Sequence, residues 1–193
     1  MFQSSSNPMF GFDYEALIFQ PQIILNIGIV KGDPAANVQF NKIVEDKWKG
    51  WLTIFTDASK ESEEECVGSA VWVPQWKSYL SIKSPPKTSV FTGEAIAIYE
   101  AVVMVKSHQL NRTVIFSDSR SCLEDIMKFP FRSKELLPIN LKTREALYNC
   151  HALGIEVVLV WIPGHSGIKG NEQADLCAKW AIRSSGYTTD HLA

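Results

Sequence analysis

Two short apolar runs in this sequence stop at an aspartate: WLTIFTD (51–57) ends on Asp57, and TVIFSD (113–118) ends on Asp118. Each is rich in β-branched or aromatic residues and reads as a strand. In open α/β sheets, ligands sit beyond the carboxyl ends of the strands, which is where these two acids would lie. Taken singly, either could equally be a turn residue closing a strand. Glu94 is more telling. Along the helical pattern over 89–108, Ala97, Ile98, Ala101, Val102 and Val105 fall at offsets 3, 4, 7, 8 and 11 from Glu94. Glu94 therefore belongs to the core-facing stripe, where a carboxylate is retained only if it is paired or coordinated to metal. The alternative is a solvated first-turn glutamate favoured by the helix dipole. Asp175, in the last helical pattern, shares a face with Asn171 and Ala178, although a surface acid is an equal reading. Four acids converging on one sheet end repel one another by about 4 kcal/mol per pair at about 4 Å and an effective dielectric of about 20. Divalent cations cancel that repulsion, and hard oxygen donors without His or Cys select Mg²⁺ or Mn²⁺. An all-carboxylate site of this kind suits two-metal hydrolysis of phosphate esters.

The elements that must position these acids follow from the pattern. After the strand ending at Asp57, an acidic loop (58–66, with Glu61, Glu63, Glu64 and Glu65) leads to VGSAVWVP (67–74) and WKSYLSIK (76–83), a second and third strand. The helix over 89–108 and the strand ending at Asp118 come next, then helices over 119–128 and 133–151. IEVVLVWIP (155–163) is the longest unbroken strand, and the loop GHSGIKG (164–170) opens the final helix, NEQADLCAKWAIRS. Three strands followed by alternating helix and strand predict an α/β fold. The expected sheet is five-stranded and mixed, antiparallel across the first three strands and then parallel, with helices on both faces. Residues 1–50 hold a loose tail (1–12), one apolar segment (16–30), a Gly-Asp-Pro turn at 32–34 and a helical pattern around 37–47. They carry no evident chemistry and are expected to form a partly disordered extension or spacer. Residues 51–185 are expected to form the main domain, which would hold the clustered acids, and 186–193 a C-terminal tail.

Composition narrows the classes. The 193 residues are 46% hydrophobic and 21% charged, an ordinary globular balance long enough for a real core. A net charge of −2 gives no global positive field, so nucleic acid would have to be held by a local basic face or by metal ions. Lys128, Arg132, Lys134, Lys142 and Arg144 form the best candidate for such a face, set against an equally plain reading as solvated surface. The four cysteines, Cys66, Cys122, Cys150 and Cys177, lie far apart without zinc-type spacing and read as free thiols of a reducing compartment. No stretch is long and apolar enough for a membrane span, and no Lys or Arg precedes Lys31, so no secretory signal is visible. The expected protein is soluble and intracellular, cytoplasm and nucleus undistinguished.

TDAS (56–59), GEAIAIYEAV (93–102), SDS (117–119) and WIPGHSGIKGNEQAD (161–175) together resemble the type-1 ribonuclease H domain, most closely the form found in animal non-LTR retrotransposon polyproteins. The resemblance spans about 51–183, and its last block is the most specific, because His165, Asn171 and Asp175 keep the family's relative spacing. It implies a metal-dependent endonuclease that cleaves the RNA strand of an RNA–DNA hybrid. Asp57, Glu94, Asp118 and Asp175 would be the catalytic ligands of two Mg²⁺ ions, with Mn²⁺ able to substitute. Asp57 would bridge both ions, Glu94 and Asp118 would hold the one near the leaving group, and Asp175 the one that activates water. His165 would assist proton transfer or product release. Ser119 and Asn171 would be the nearest substrate contacts, and Glu94 would meet a ribose 2′-OH, the group that distinguishes RNA from DNA. The partners implied are an RNA–DNA hybrid and a reverse transcriptase domain in the parent element.

Against the family pattern, the first loop is unusually acidic and no basic insertion follows the 119–128 helix. The competing reading is a non-catalytic ribonuclease H-like module that binds nucleic acid or acts as a spacer. GHSGI (164–168) approaches a G-x-S-x-G nucleophile elbow but has Ile168 at its fifth position. His108, His151 and His191 have no partner spacing, and Trp72, Trp76 and Trp161 read as core or edge packing rather than as stacking platforms for bases.

Overall fold

The computed structural model describes residues 11–62, 65–132 and 137–183. Helix α1 (Tyr14–Ile18) and strand β1 (Gln22–Ile24) come first, followed by α2 (Ala36–Trp48), β2 (Leu52–Ser59), β3 (Val67–Val73) and β4 (Ser78–Ser84). The remainder is α3 (Val90–Ser107), β5 (Arg112–Ser117), α4 (Arg120–Met127), α5 (Pro138–Ala152), β6 (Glu156–Trp161) and α6 (Lys169–Arg183). The expected tail at 186–193, residues 1–10, Glu63, Glu64 and Lys134 lie outside the described residues. Among the described residues, no helix is long and apolar enough to cross a membrane.

The sheet runs β1-β6-β5-β2-β3-β4. Strands β2, β3 and β4 are antiparallel, whereas β2–β5, β5–β6 and β6–β1 are parallel. This is the expected mixed α/β sheet with six strands in place of five. The added strand is β1, three residues long, from the segment expected as a spacer. Its partner β6 is apolar on both faces, a pattern that suits an interior position, and β1 makes it one.

Side chains along each strand alternate between two cores. Ile54, Val71, Ile115 and Leu159 join Ile98, Ala101, Val102 and Val105 of α3 and Leu147 of α5 on one side. Phe55, Val114, Phe116, Val158 and Val160 face the other way, toward Ala174 of α6 and Phe40 and Trp48 of α2. There Phe116 meets Phe40 edge-on at 4.8 Å, Trp48 at 5.7 Å and Phe55 in a stacked pair at 5.2 Å.

Local chemistry sets the element ends. Ser89 caps α3, its hydroxyl accepting the Thr92 N–H at 3.0 Å. Helix α5 begins at Pro138 rather than at the expected 133, because the ring disfavours helical backbone at Leu137, which is extended. A short turn over Pro74–Trp76, closed by Lys77 at φ 51°, delays β4 to Ser78.

Arg144 corrects the proposed basic face. Its side chain is 1% exposed, and the guanidinium donates to the carbonyls of Leu17, Phe19 and Ile126, which ties the C-terminal ends of α1 and α4 to α5. It is therefore withheld from any phosphate. Lys128 pairs with the buried Asp125 at 3.3 Å, and the Arg132 side chain lies outside the described part.

Candidate active site

Strands β2 and β5 are parallel neighbours in the register Thr56↔Ser117, so their carboxyl ends bring Asp57 and Asp118 side by side. Helix α3 crosses β2 and β3 at its first turn, where Gly93 permits the approach. A Cβ on Gly93 would stand 2.4 Å from Val67 Cγ1 and 3.0 Å from the Ala58 Cβ. Glu94 enters beneath this contact, 7% exposed, on the same stripe as the buried Ala97, Ile98, Ala101, Val102 and Val105. The core-facing reading of Glu94 is thus the observed one. One oxygen from each of Asp57, Glu94 and Asp118 lies within 4.8 Å of the others.

The hydrogen bonds show what this cluster lacks. The Ala58 N–H donates to Asp57 Oδ1 at 2.7 Å and to Glu94 Oε1 at 3.2 Å. Glu94 Oε2 is buried with no hydrogen-bond partner. An orphaned acceptor beside two more carboxylates fits a divalent cation, which can take an oxygen from each of the three. Burial, then the charges of Asp118 and Asp175, pushes Asp57 up to about 8. Burial and the charges of Asp57 and Asp118 hold Glu94 well above the usual carboxylate range. Asp118 is also raised by burial, against the opposing pull of the Asn171 amide and of His165.

The other expected residues gather at the same end. Asn171, buried in the first turn of α6, donates from Nδ2 to Asp118 Oδ2 at 3.2 Å, and its Oδ1 is left without a partner. His165 lies near enough for its charge to lower the Asp118 carboxyl. Ser119 stands just ahead of α4, its N–H donating to Ser117 Oγ at 3.2 Å. Asp175 is the residue set apart. Its charge raises Asp57 and Asp118, yet it is not one of the three clustered acids, and Lys179 one turn on holds its Oδ2 at 2.6 Å. The i, i+4 spacing of Asp175 and Lys179 was the available signal for this pair.

Three further contributors escaped the sequence reading. Gly164 presses on Asp118, where a Cβ would lie 2.4 Å from Oδ2. Trp161 packs at the core edge as expected, but its indole Nε1 also donates to the Asp118 carbonyl at 3.1 Å. Arg120 stacks over the Trp161 ring, 5.5 Å from its centre. Of the acidic loop, Glu61 is paired with Arg183 at 2.8 Å.

Comparison with known proteins gives one family. The family model described as RNase H matches residues 49–183. The chain is 29% identical over 143 residues to the Pol polyprotein of equine infectious anemia virus (strain Wyoming), an alignment covering 72% of this chain. The Pol polyprotein of isolate 1369 of the same virus is 30% identical over 143 residues, again covering 72% of this chain. The chain spans 11% of the length of these viral polyproteins. Both relatives are retroviral, whereas the motif resemblance pointed to non-LTR retrotransposons.

Proposed function

The chain belongs to the RNase H family, and from that premise we propose that it hydrolyses the RNA strand of RNA–DNA hybrids at the end of the sheet where Asp57, Glu94 and Asp118 meet. The observation that carries this is the cluster itself, three carboxylates beyond the carboxyl ends of two parallel strands with Glu94 Oε2 left orphaned. Asp57, Glu94 and Asp118, joined by Asp175 once it is released from Lys179, would hold two Mg²⁺ ions. Bound there, such ions supply an ionised water and neutralise charge on the leaving oxygen.

The chain's own residues do the rest. Asn171 fixes the rotamer of Asp118 through Nδ2 and keeps Oδ1 free to accept from substrate. His165 stands at the mouth of the site as a proton carrier for the leaving group or a gate for product. Ser119 is the neighbouring polar contact for the hybrid, and Glu94 the candidate for reading a ribose 2′-OH. The parent protein is a retroelement polyprotein carrying a reverse transcriptase. The motif blocks favour a non-LTR origin, and the viral relatives support the retroelement class.

The test is incubation of the purified chain with an end-labelled RNA–DNA hybrid in Mg²⁺ or Mn²⁺, beside Asp57→Asn and beside duplex DNA and duplex RNA. Cutting of the hybrid's RNA strand alone, lost in the variant, is the expected result. Hybrid binding without cutting in either metal would replace this reading with the non-catalytic module.

A further inference from the structure

The loop that carries His165 adopts a backbone it would not favour by itself. His165 lies in the left-handed region at φ 51°, and Gly167 follows at φ 74°. A side-chain-bearing residue persists there only where its surroundings hold it. Those surroundings come from residues 29–37, which precede the matched 49–183. The Gly32 N–H donates to Ser166 Oγ at 3.3 Å, and that hydroxyl donates in turn to the Gly164 carbonyl at 3.2 Å. Gly164 is the residue pressed against the Asp118 carboxylate. Five residues further along the extension, Asn37 Oδ1 accepts the Lys169 N–H at 3.1 Å, an amide of the first turn of α6 that the helix itself cannot satisfy. Ile29 and Ala36 are buried in the same apolar cluster as Ile162 and Ile168, on either side of the loop. The turn presenting these groups is braced by Asp33, which accepts from the Ala35 N–H at 2.8 Å and from the Gln39 amide at 2.9 Å.

We infer that residues 29–37 form a strap that positions His165 for the cleavage reaction, with Asn37 as its chief positioning residue. This rests on the function proposed above. The strap grips the loop on both sides of His165, at Ser166 and Lys169 directly and at Gly164 through the serine hydroxyl. Loss of the grip frees His165 to leave the left-handed conformation, and the Gly164 contact with Asp118 loosens with it. Asn37 itself is not among the residues proposed to meet the hybrid, so the effect is expected to fall on kcat more than on KM.

The test uses the full chain as wild type, Asn37→Ala, Asn37→Asp, His165→Ala and the Asn37→Ala/His165→Ala double variant. In Asn37→Ala, amide exchange at the Lys169 N–H and through 164–169 is expected to quicken about tenfold, with the central strands unchanged. Its kcat on the hybrid falls about three- to tenfold with KM held within about twofold. Asn37→Asp keeps the acceptor oxygen and restores both readouts. On the His165→Ala background, Asn37→Ala lowers kcat by less than about twofold, because the group it positions is gone. Unchanged exchange at Lys169, or an equal loss of kcat on both backgrounds, would overturn the strap. A wild-type chain that cuts no hybrid would instead sink the functional reading, and exchange over 164–169 would then decide the strap alone.

Discussion

A carboxylate buried beside two others ionises only at a cost, and burial is the leading reason that Asp57 is pushed up to about 8 while Glu94 and Asp118 rise with it. The native state therefore holds protons that the unfolded chain, with ordinary carboxylates near 4, has released. Stability of the metal-free protein must fall as pH rises through that interval, from about 4 to about 8, and stay low above it. Thermal melts in EDTA are expected to show this slope between pH 5 and 8. Asp57→Asn should flatten it and raise the melting temperature at pH 8 by about 5 °C, since about 2 kcal/mol of repulsion and desolvation is relieved. Added Mg²⁺ should stabilise wild type more at pH 8 than at pH 5 and do little for the variant. A melting temperature lowered by Asp57→Asn at pH 8 would show that the acids are not in conflict. Asp118→Asn keeps an acceptor for the Asn171 amide, so it too should fold, while cleavage drops by more than about a hundredfold.

At the scale of elements, legibility followed pattern strength. Helix α3 was readable to within a residue at each end because its apolar stripe runs about three turns, from Glu94 to Val105, and Ser89 caps it. The same stripe exposed Glu94 as a buried acid without any structure. Strand β1 was not readable, since three residues (QII) after a proline carry no period of their own and pair only because β6 offers an open parallel edge. Arg144 was misread for a related reason. In sequence it stands among Lys142, Glu145 and other charges, and only the fold reveals that α1 and α4 both end against it with carbonyls unpaired. Removing that cation takes the donor from three carbonyls, two of them buried. Arg144→Met, which keeps the volume and loses the donors, should cost about 3 kcal/mol, read as a lowered urea midpoint with the slope unchanged. A variant as stable as wild type would mean that water replaces the guanidinium at no cost.

For the whole molecule, the question is where the folding unit begins. The family match opens at residue 49, and the sequence offered no chemistry before it. Yet Phe40 and Trp48 are each 5% exposed and pack on Phe116, and β1 covers the edge of β6. A chain cut to begin at residue 49 would uncover Phe116 and part of Phe55, on which Phe40 and Trp48 pack, and leave an unpaired parallel strand at the edge. An apolar face of that kind, next to an open strand edge, favours association between copies. Two aromatic side chains alone contribute about 3 kcal/mol or more each when buried. The chain from residue 49 is therefore expected to be poorly soluble or to melt more than about 10 °C below full length. Phe40→Ala within the full chain should take an intermediate place, losing about 3 kcal/mol while the three acids stay clustered and Mg²⁺ still raises its melting temperature. If the chain from residue 49 melts as high as full length, the α2 face is dispensable, and Phe40→Ala must then be nearly silent as well.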